Sequence, residues 1–303
     1  MAPAQFDITP KKQASFFRYL YYQITFGPQL VSDVALSGHT ALVTGSNCGI
    51  GLETSRQLLE LGVSKLILAV RNEEKGKAAD RKGLPADAIE RIVNTSTGHG
   101  EIIQVNYLST AMLAILLLPI TKGVRANQPK PTRITLTLSE VAAWVSFPVG
   151  REVPILPALD APGKAADNTR DRMLVSKLLG QYFITALAAR VPSSVAVIDG
   201  VSPGAVHDTQ FNRDFEGTLG LGLVKAIQRW VAFSSAVGAR LVTDAAVRHG
   251  DEAHGQFLSM QKIAPVIYTE EGKKTSEQLW EETIEELSFA GVENIVKELG
   301  DKD

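Results

Sequence analysis

Eight consecutive residues, Thr44-Gly45-Ser46-Asn47-Cys48-Gly49-Ile50-Gly51, have the types and spacing to hold a phosphate group. Glycines let backbone come close to an anion, and a helix starting there offers free N–H groups and the positive end of its dipole. The flanks suit that use. The apolar run His39 to Val43 reads as a strand, and the run through Leu52, Leu58 and Leu59 as a helix. Strand, glycine turn and helix predict a dinucleotide pyrophosphate site on Gly45, Ser46, Asn47, Gly49, Ile50 and Gly51. A second strand, Lys65 to Val70, is continuously apolar, as one buried on both faces should be. It ends at Arg71-Asn72, with Lys75 close behind. The tip of such a strand meets the adenosine ribose, where an acid favours NAD and an arginine can hold the 2′-phosphate of NADP. Arg71, Asn72 and Lys75 therefore predict NADP(H). The five histidines show no metal-ligand spacing, so no metal is expected.

The spacing Thr-Gly-x-x-x-Gly-x-Gly resembles that of the short-chain dehydrogenase/reductase family, and the similarity runs from about Ser37 to the C-terminus. The runs Gln104 to Thr110 and Gly255 to Ser259 are similar to fungal members, which often serve secondary metabolism. The resemblance implies an α/β, Rossmann-like fold with a doubly wound parallel sheet. It also implies NADP(H)-dependent chemistry on a small carbonyl or alcohol substrate. In the family a Ser, a Tyr and a Lys share proton delivery, an Asn holds a water behind the Lys, and the Lys also bonds the nicotinamide ribose. Asn106, Ser139 and Lys177 match three of these positions, but Met173 stands four residues before Lys177, where the tyrosine is expected. Pro203-Gly204 resembles the family's turn beside the nicotinamide. The threonine that follows it is represented by Thr209, displaced behind Asp208.

Methionine has no proton to give. General acid catalysis contributes about 10²–10⁴-fold, so ordinary reductase turnover should be severely reduced. Glu140, Asp171 and Arg172 are charged neighbours in sequence that could replace the donor. Three classes stay open: an NADP(H)-dependent oxidoreductase with impaired or altered catalysis, an inactive member that binds nucleotide or a partner, and a non-redox isomerase or cyclase using the same cleft.

The elements that must position these residues are recognisable only in part. An alternating fold needs two helices and two strands between Arg71 and Asn106, and mean lengths of about 11–12 and 5–6 residues do not fit there. The interval offers a charged helical piece (Glu73 to Lys82) and one short strand (Ala88 to Val93). The family's adenine-holding Asp and its Asn-Ala-Gly strand end are not found. The resemblance jumps near Glu90 across several tens of residues that would include a central strand, so the sheet should lack or rearrange that strand. Family order then resumes with a buried helix from Val105 to Pro119, a strand from Arg133 to Leu138 and a helix from Val175 to Arg190. A strand from Ser194 to Ile198, a helix from Thr218 to Val242, a last strand from Gln256 to Ser259 and a terminal helical region from Thr275 to Leu299 complete it.

With 303 residues, 45% of them hydrophobic, the chain can bury a large core. We expect an N-terminal helical arm (1–36) and one Rossmann-like domain (37–303). A net charge of −2 without basic blocks argues against nucleic acid as a partner. The single cysteine, Cys48, fits a reducing, cytoplasmic setting. The longest apolar run, Ala111 to Ile120, is about half of what a bilayer span needs, so no transmembrane segment is expected. Thr9-Pro10 should start an aromatic-rich helix ending at Gly27-Pro28. Its aromatic face suits packing onto the domain or a partner, with peripheral membrane contact as the alternative.

Overall fold

The computed structural model describes residues 7–70, 89–92, 99–145, 154–160, 169–208, 231–264 and 270–300. In chain order the elements are α1 (Pro10–Gln13), α2 (Phe16–Thr25), β1 (Thr40–Thr44), α3 (Gly49–Glu60), β2 (Lys65–Ala69) and β3 (Ile89–Ile92). They continue with α4 (Ser109–Val124), β4 (Thr132–Thr137), α5 (Ile155–Asp160), α6 (Thr169–Ala188) and β5 (Ala196–Val201). The last are α7 (Ser235–Arg248), β6 (Phe257–Ser259), β7 (Lys262–Ala264), α8 (Glu270–Glu286) and α9 (Val292–Gly300). Parallel strands alternating with helices make this an α/β, Rossmann-like chain, and its strands fall into two sheets.

One compact unit comprises Phe16–Thr95 and Pro203–Arg248. Its sheet is parallel with order β1-β2-β3, Thr40 standing opposite Lys65 and Leu66 opposite Ile89. Leu66 and Leu68 of β2 are fully buried against Leu52 and Leu58 of α3. Along α3 lies α7, joined by Gln57 Nε2 donating to Ala236 O (2.9 Å) and Thr243 Oγ1 donating to Gln57 Oε1 (2.9 Å). The strand expected from Ala88 to Val93 is present as β3, yet it extends β2 on the side away from β1. Among the unit's described residues β1 is therefore an edge strand. Ala41, Leu42 and Val43 are only half-buried, where a central parallel strand would be enclosed on both faces. The charged piece Glu73 to Lys82 lies outside the described residues.

In the same unit α2 leaves much of its aromatic face exposed. Phe17 is 81% exposed, and Phe16, Tyr21 and Ile24 are exposed as well, while Tyr19, Leu20 and Tyr22 are half-buried. What holds the helix is its buried residue, Gln23. That side chain accepts from Ala205 N (2.8 Å) and donates to Ala205 O (3.2 Å) and Val231 O (3.4 Å). The same two stretches are cross-linked by Phe233 N to Ala205 O (2.8 Å) and His207 N to Phe233 O (3.0 Å). The helix expected from Thr218 to Val242 is corrected too: 218–230 lie outside the described residues, 232–234 break it, and a helix runs from Ser235 on to Arg248. Two side chains fix that start, Asp208 accepting from Ser235 N (2.5 Å) and Ser234 accepting from Val237 N (3.3 Å).

The second unit comprises Met1–Ser15, Ser96–Ser202 and His249–Asp303. Thr9 caps α1 by accepting from Lys12 N (3.4 Å), and a turn at Ala14 ends that helix, so the N-terminal helix is shorter than its pattern suggested. The sheet runs β4-β5-β6-β7, parallel except for β7, which returns antiparallel to β6. Met260 and Gln261 make that return at φ 48° and 60°, a hairpin turn normally written with Asn or Gly. All of β5 is buried, while β4 keeps Thr132 to Thr135 half-exposed at the sheet edge. Arg133 on β4 pairs with the fully buried Asp199 on β5 at 2.7 Å. Burial pushes the Asp199 carboxyl up to about 6 although the guanidinium opposes the shift.

The helices of this unit share one core. Phe183 of α6 meets Tyr107 edge-on and stacks on Trp280 of α8, each at 6.2 Å between ring centroids. The helix expected to end at Pro119 continues to Val124, with Pro119 on its exposed side. Together with its preceding turns, Gln104–Asn127 is long and apolar enough to cross a membrane. Its inner face, through Leu108, Ala111, Ile115 and Leu118, belongs to the unit's core.

Candidate active site

Asn106, Met173 and Lys177 are brought together by two helices of the second unit. Gln104–Leu108 is a π turn, one residue wider than an α turn, and it carries Asn106. From it the Asn106 amide donates to Met173 Sδ (3.2 Å) and to Ser176 Oγ (3.1 Å), both on α6. Ser176 in turn donates to Met173 O (2.7 Å). One residue further along α6, Lys177 Nζ donates to Thr137 O (2.9 Å) at the end of β4. Burial holds the Lys177 ammonium well below the usual lysine range, at about 8. Ser139 follows β4 and caps the short 3₁₀ turn Glu140–Trp144, its Oγ accepting from Val141 N (3.4 Å). Its carbonyl accepts from Gln181 Nε2 (3.0 Å), one turn after Lys177.

Close backbone approach makes this possible. A Cβ on Gly180 would lie 2.5 Å from Leu138 Cδ2, and one on Gly200 would lie 2.6 Å from Leu138 Cδ1. Leu138 is thus clasped between α6 and β5, and two glycines set how near the lysine helix comes to the strand ends. Neither glycine stands out in the sequence. Ser176 is likewise invisible there, being a helical serine with no spacing signal. Of the alternative donors, Glu140 is buried and hydrogen-bonded by the Ser259 hydroxyl. The side chains of Asp171 and Arg172 lie outside the described ones.

The first unit holds the glycine loop in the expected form. Gly45 and Gly49 adopt φ of 62° and 56°, which an L side chain resists. A Cβ on Gly51 would lie 2.6 Å from Gly45 O, so the helix start can seat only against glycine. Cys48 caps α3 without a side-chain hydrogen bond, leaving first-turn N–H groups for an outside acceptor. Ser46 is fully buried and its hydroxyl has no partner among the described residues. An unmet hydroxyl beside a glycine cradle at a helix start fits an anionic phosphate group. Asn47 and Ile50 are half-buried in the same loop. Pro203 is buried, and Gly204 takes φ 72° with Gln23 Oε1 at 2.9 Å from where its Cβ would be. Arg71, Asn72, Lys75 and Thr209 lie outside the described residues.

No protein-family model matches the chain. Similar proteins are nevertheless plain. The short-chain dehydrogenase fogG of Aspergillus ruber is 35% identical over 344 aligned positions, covering 97% of this chain and 98% of that protein. Because the chain has 303 residues, at least 41 of those positions (344 less 303) have no counterpart in it. The short chain dehydrogenase/reductase mfmJ of Annulohypoxylon moriforme is 33% identical, covering 87% of this chain and 89% of that protein. Among solved structures, an uncharacterized protein from Mycobacterium paratuberculosis aligns with a TM-score of 0.56 at 19% identity, covering 83% and 94% of the two chains. An NADPH-bound short chain oxidoreductase with an atypical catalytic center, from Pseudomonas aeruginosa, aligns at 0.52 and 16%, covering 74% and 96%. At such identities the structural likeness speaks for the fold.

Proposed function

The chain belongs to the short-chain dehydrogenase/reductase family, and from that premise we propose that it is an NADP(H)-dependent oxidoreductase with weakened catalysis, acting on a small carbonyl or alcohol substrate in fungal secondary metabolism. The observation that carries this reading is the cluster of Asn106, Met173, Ser176 and Lys177 at the end of β4. It keeps the lysine and asparagine of a carbonyl reductase and replaces only the phenol.

The nicotinamide would supply the hydride. Amides of Gly45, Ser46, Asn47, Gly49, Ile50 and Gly51 would take the pyrophosphate, which the cradle and the unmet Ser46 hydroxyl support. Arg71, with Asn72 and Lys75, would hold the 2′-phosphate. Pro203, Gly204 and Thr209 would border the nicotinamide, and Lys177 would bond its ribose. Ser139 would steady the substrate oxygen. With Met173 unable to donate, the ammonium of Lys177, at about 8, is the acid left in this cluster near neutral pH. Titration calorimetry tests the cofactor. NADPH should bind more tightly than NADH, and Arg71→Ala should erase a preference of roughly ten- to a hundred-fold, the worth of one charge-assisted contact. Binding of neither nucleotide sinks the proposal.

A second reading, a member that binds nucleotide or a partner without turnover, draws on one contact. The Asn106 amide, which in the family holds a water behind the lysine, is spent on the Met173 sulfur and the Ser176 hydroxyl.

A further inference from the structure

We propose that the side chain of His254 is a rung of the second unit's sheet, standing where a backbone carbonyl would, and that its protonation in mild acid opens that rung.

The ladder between β5 and the stretch entering β6 shows the place. Ser202 N donates to Leu258 O (3.0 Å) and Gly200 N to Gln256 O (3.0 Å), each step moving two residues along both stretches. The next step joins Ile198 N to residue 254. There the acceptor is the ring, with Nδ1 at 3.2 Å, and not the carbonyl. The His254 carbonyl instead accepts from the Gln256 side-chain amide (3.5 Å). Ile198 O stays in the ladder, accepting from Gly255 N (2.7 Å), so the Ile198 N–H faces the same side, away from β4.

The partners fix the protonation state of the ring. Nε2 lies 3.0 Å from Ala188 O, at the end of α6, and 2.9 Å from Val191 O just beyond it. Carbonyls only accept, so Nε2 carries a hydrogen, and a backbone N–H only donates, so Nδ1 carries none. The neutral ring thus meets all three groups and ties β5 to the helix that bears Lys177. A second ring proton would set N–H against N–H and leave the donor of the fully buried Ile198 unmet. Burial also holds the ring below the usual histidine range, against the pull of the two carbonyls and of Asp251 on the preceding 3₁₀ turn. The other charges nearby are engaged elsewhere: Arg190 with Glu277, Asp199 with Arg133, and Glu252 with the Gly250 amide and His249. Above about 6.5 the folded state therefore has the full benefit of the neutral ring, and that benefit is lost as pH falls through the folded value.

Amide hydrogen exchange, followed by NMR on the full chain, tests the rung. Between pH 7.5 and 5 the Ile198 amide should lose protection, relative to its intrinsic exchange rate, by about five- to a hundred-fold, the penalty of one unmet buried donor. Gly200, whose acceptor is a carbonyl and which adjoins Asp199, should hold its protection over the same range. Ring nitrogen shifts at the higher pH should show hydrogen on Nε2 alone. His254→Asn puts an acceptor oxygen that cannot titrate near the place of Nδ1, and should keep Ile198 protected at both pH values. A ring protonated on Nδ1 at the higher pH, or Ile198 protection that falls no further than that of Gly200, would overturn the proposal. An Ile198 loss that persists in His254→Asn would do so as well, by assigning the pH effect to another group.

Discussion

At position 173 a thioether accepts the Asn106 amide, and a single substitution measures what that costs the chemistry. Met173→Tyr places a phenol one helical turn from Lys177, whose charge would lower the phenol pKa. Reduction of a panel of diketones and quinones, followed through NADPH oxidation, should rise by an order of magnitude or more. Unchanged activity would locate the defect elsewhere. Lys177 itself makes a stability prediction. Its proton leaves the folded chain at about 8 and the unfolded chain at about 10.4. Below 8 both states are charged and the cost of the buried ammonium is fully present. Between 8 and 10.4 the unfolded state binds more protons, so stability rises with pH. Lys177→Met should therefore stabilise the protein at pH 7, by on the order of 3 kcal/mol at most, and by clearly less at pH 10. Denaturant titrations at the two pH values decide it, and an equal effect at both would refute the buried-charge account. Lys177 and Asn106 could be found in the sequence because their residue types and spacing persist. The bonds to Thr137 O and Met173 Sδ could not, since each joins positions far apart in the chain.

Elements fared according to how local their causes are. The glycine loop, α3 and β2 were legible because a phosphate-binding turn writes its own residues. The hairpin between β6 and β7 was not, for Met260 and Gln261 hold left-handed backbone without the Asn or Gly that normally announces it. Pro119 misled in the opposite direction, reading as a stop inside a helix that tertiary packing carries on to Val124. The Leu138 clasp is the element-scale feature most open to attack. Both of its methyl groups are pinned, one against Gly180 and the other against Gly200, so an added Cβ on α6 cannot be relieved by swinging the leucine. Gly180→Ala should cost about 1–3 kcal/mol of stability and displace α6, with Lys177 one turn away. A melting temperature within a degree of the parent would show the clasp to be slack.

For the whole molecule, the two sheet edges are the feature to test. At least 41 aligned positions of the fogG protein have no counterpart here, and β1 and β4 are each the edge of a parallel sheet among the described residues. Edges of this kind expose backbone donors and acceptors that recruit other chains. Heating should give a transition below about 65 °C, within or under the usual mesophilic range, accompanied by aggregation. A sharp, reversible transition above that temperature, followed by calorimetry and light scattering, would contradict it. The shortage of residues between Arg71 and Asn106 was legible in the sequence. The division into two sheets was not, because pairing partners are chosen across the fold. One feature of α2 reaches further. Gln23 ties Ala205 to Val231, so one side chain of a helix with an exposed face holds two stretches that lie far from it in the chain. A contact between positions this far apart must offset the entropy of closing the chain between them. Removing that one amide would release both stretches and the helix together.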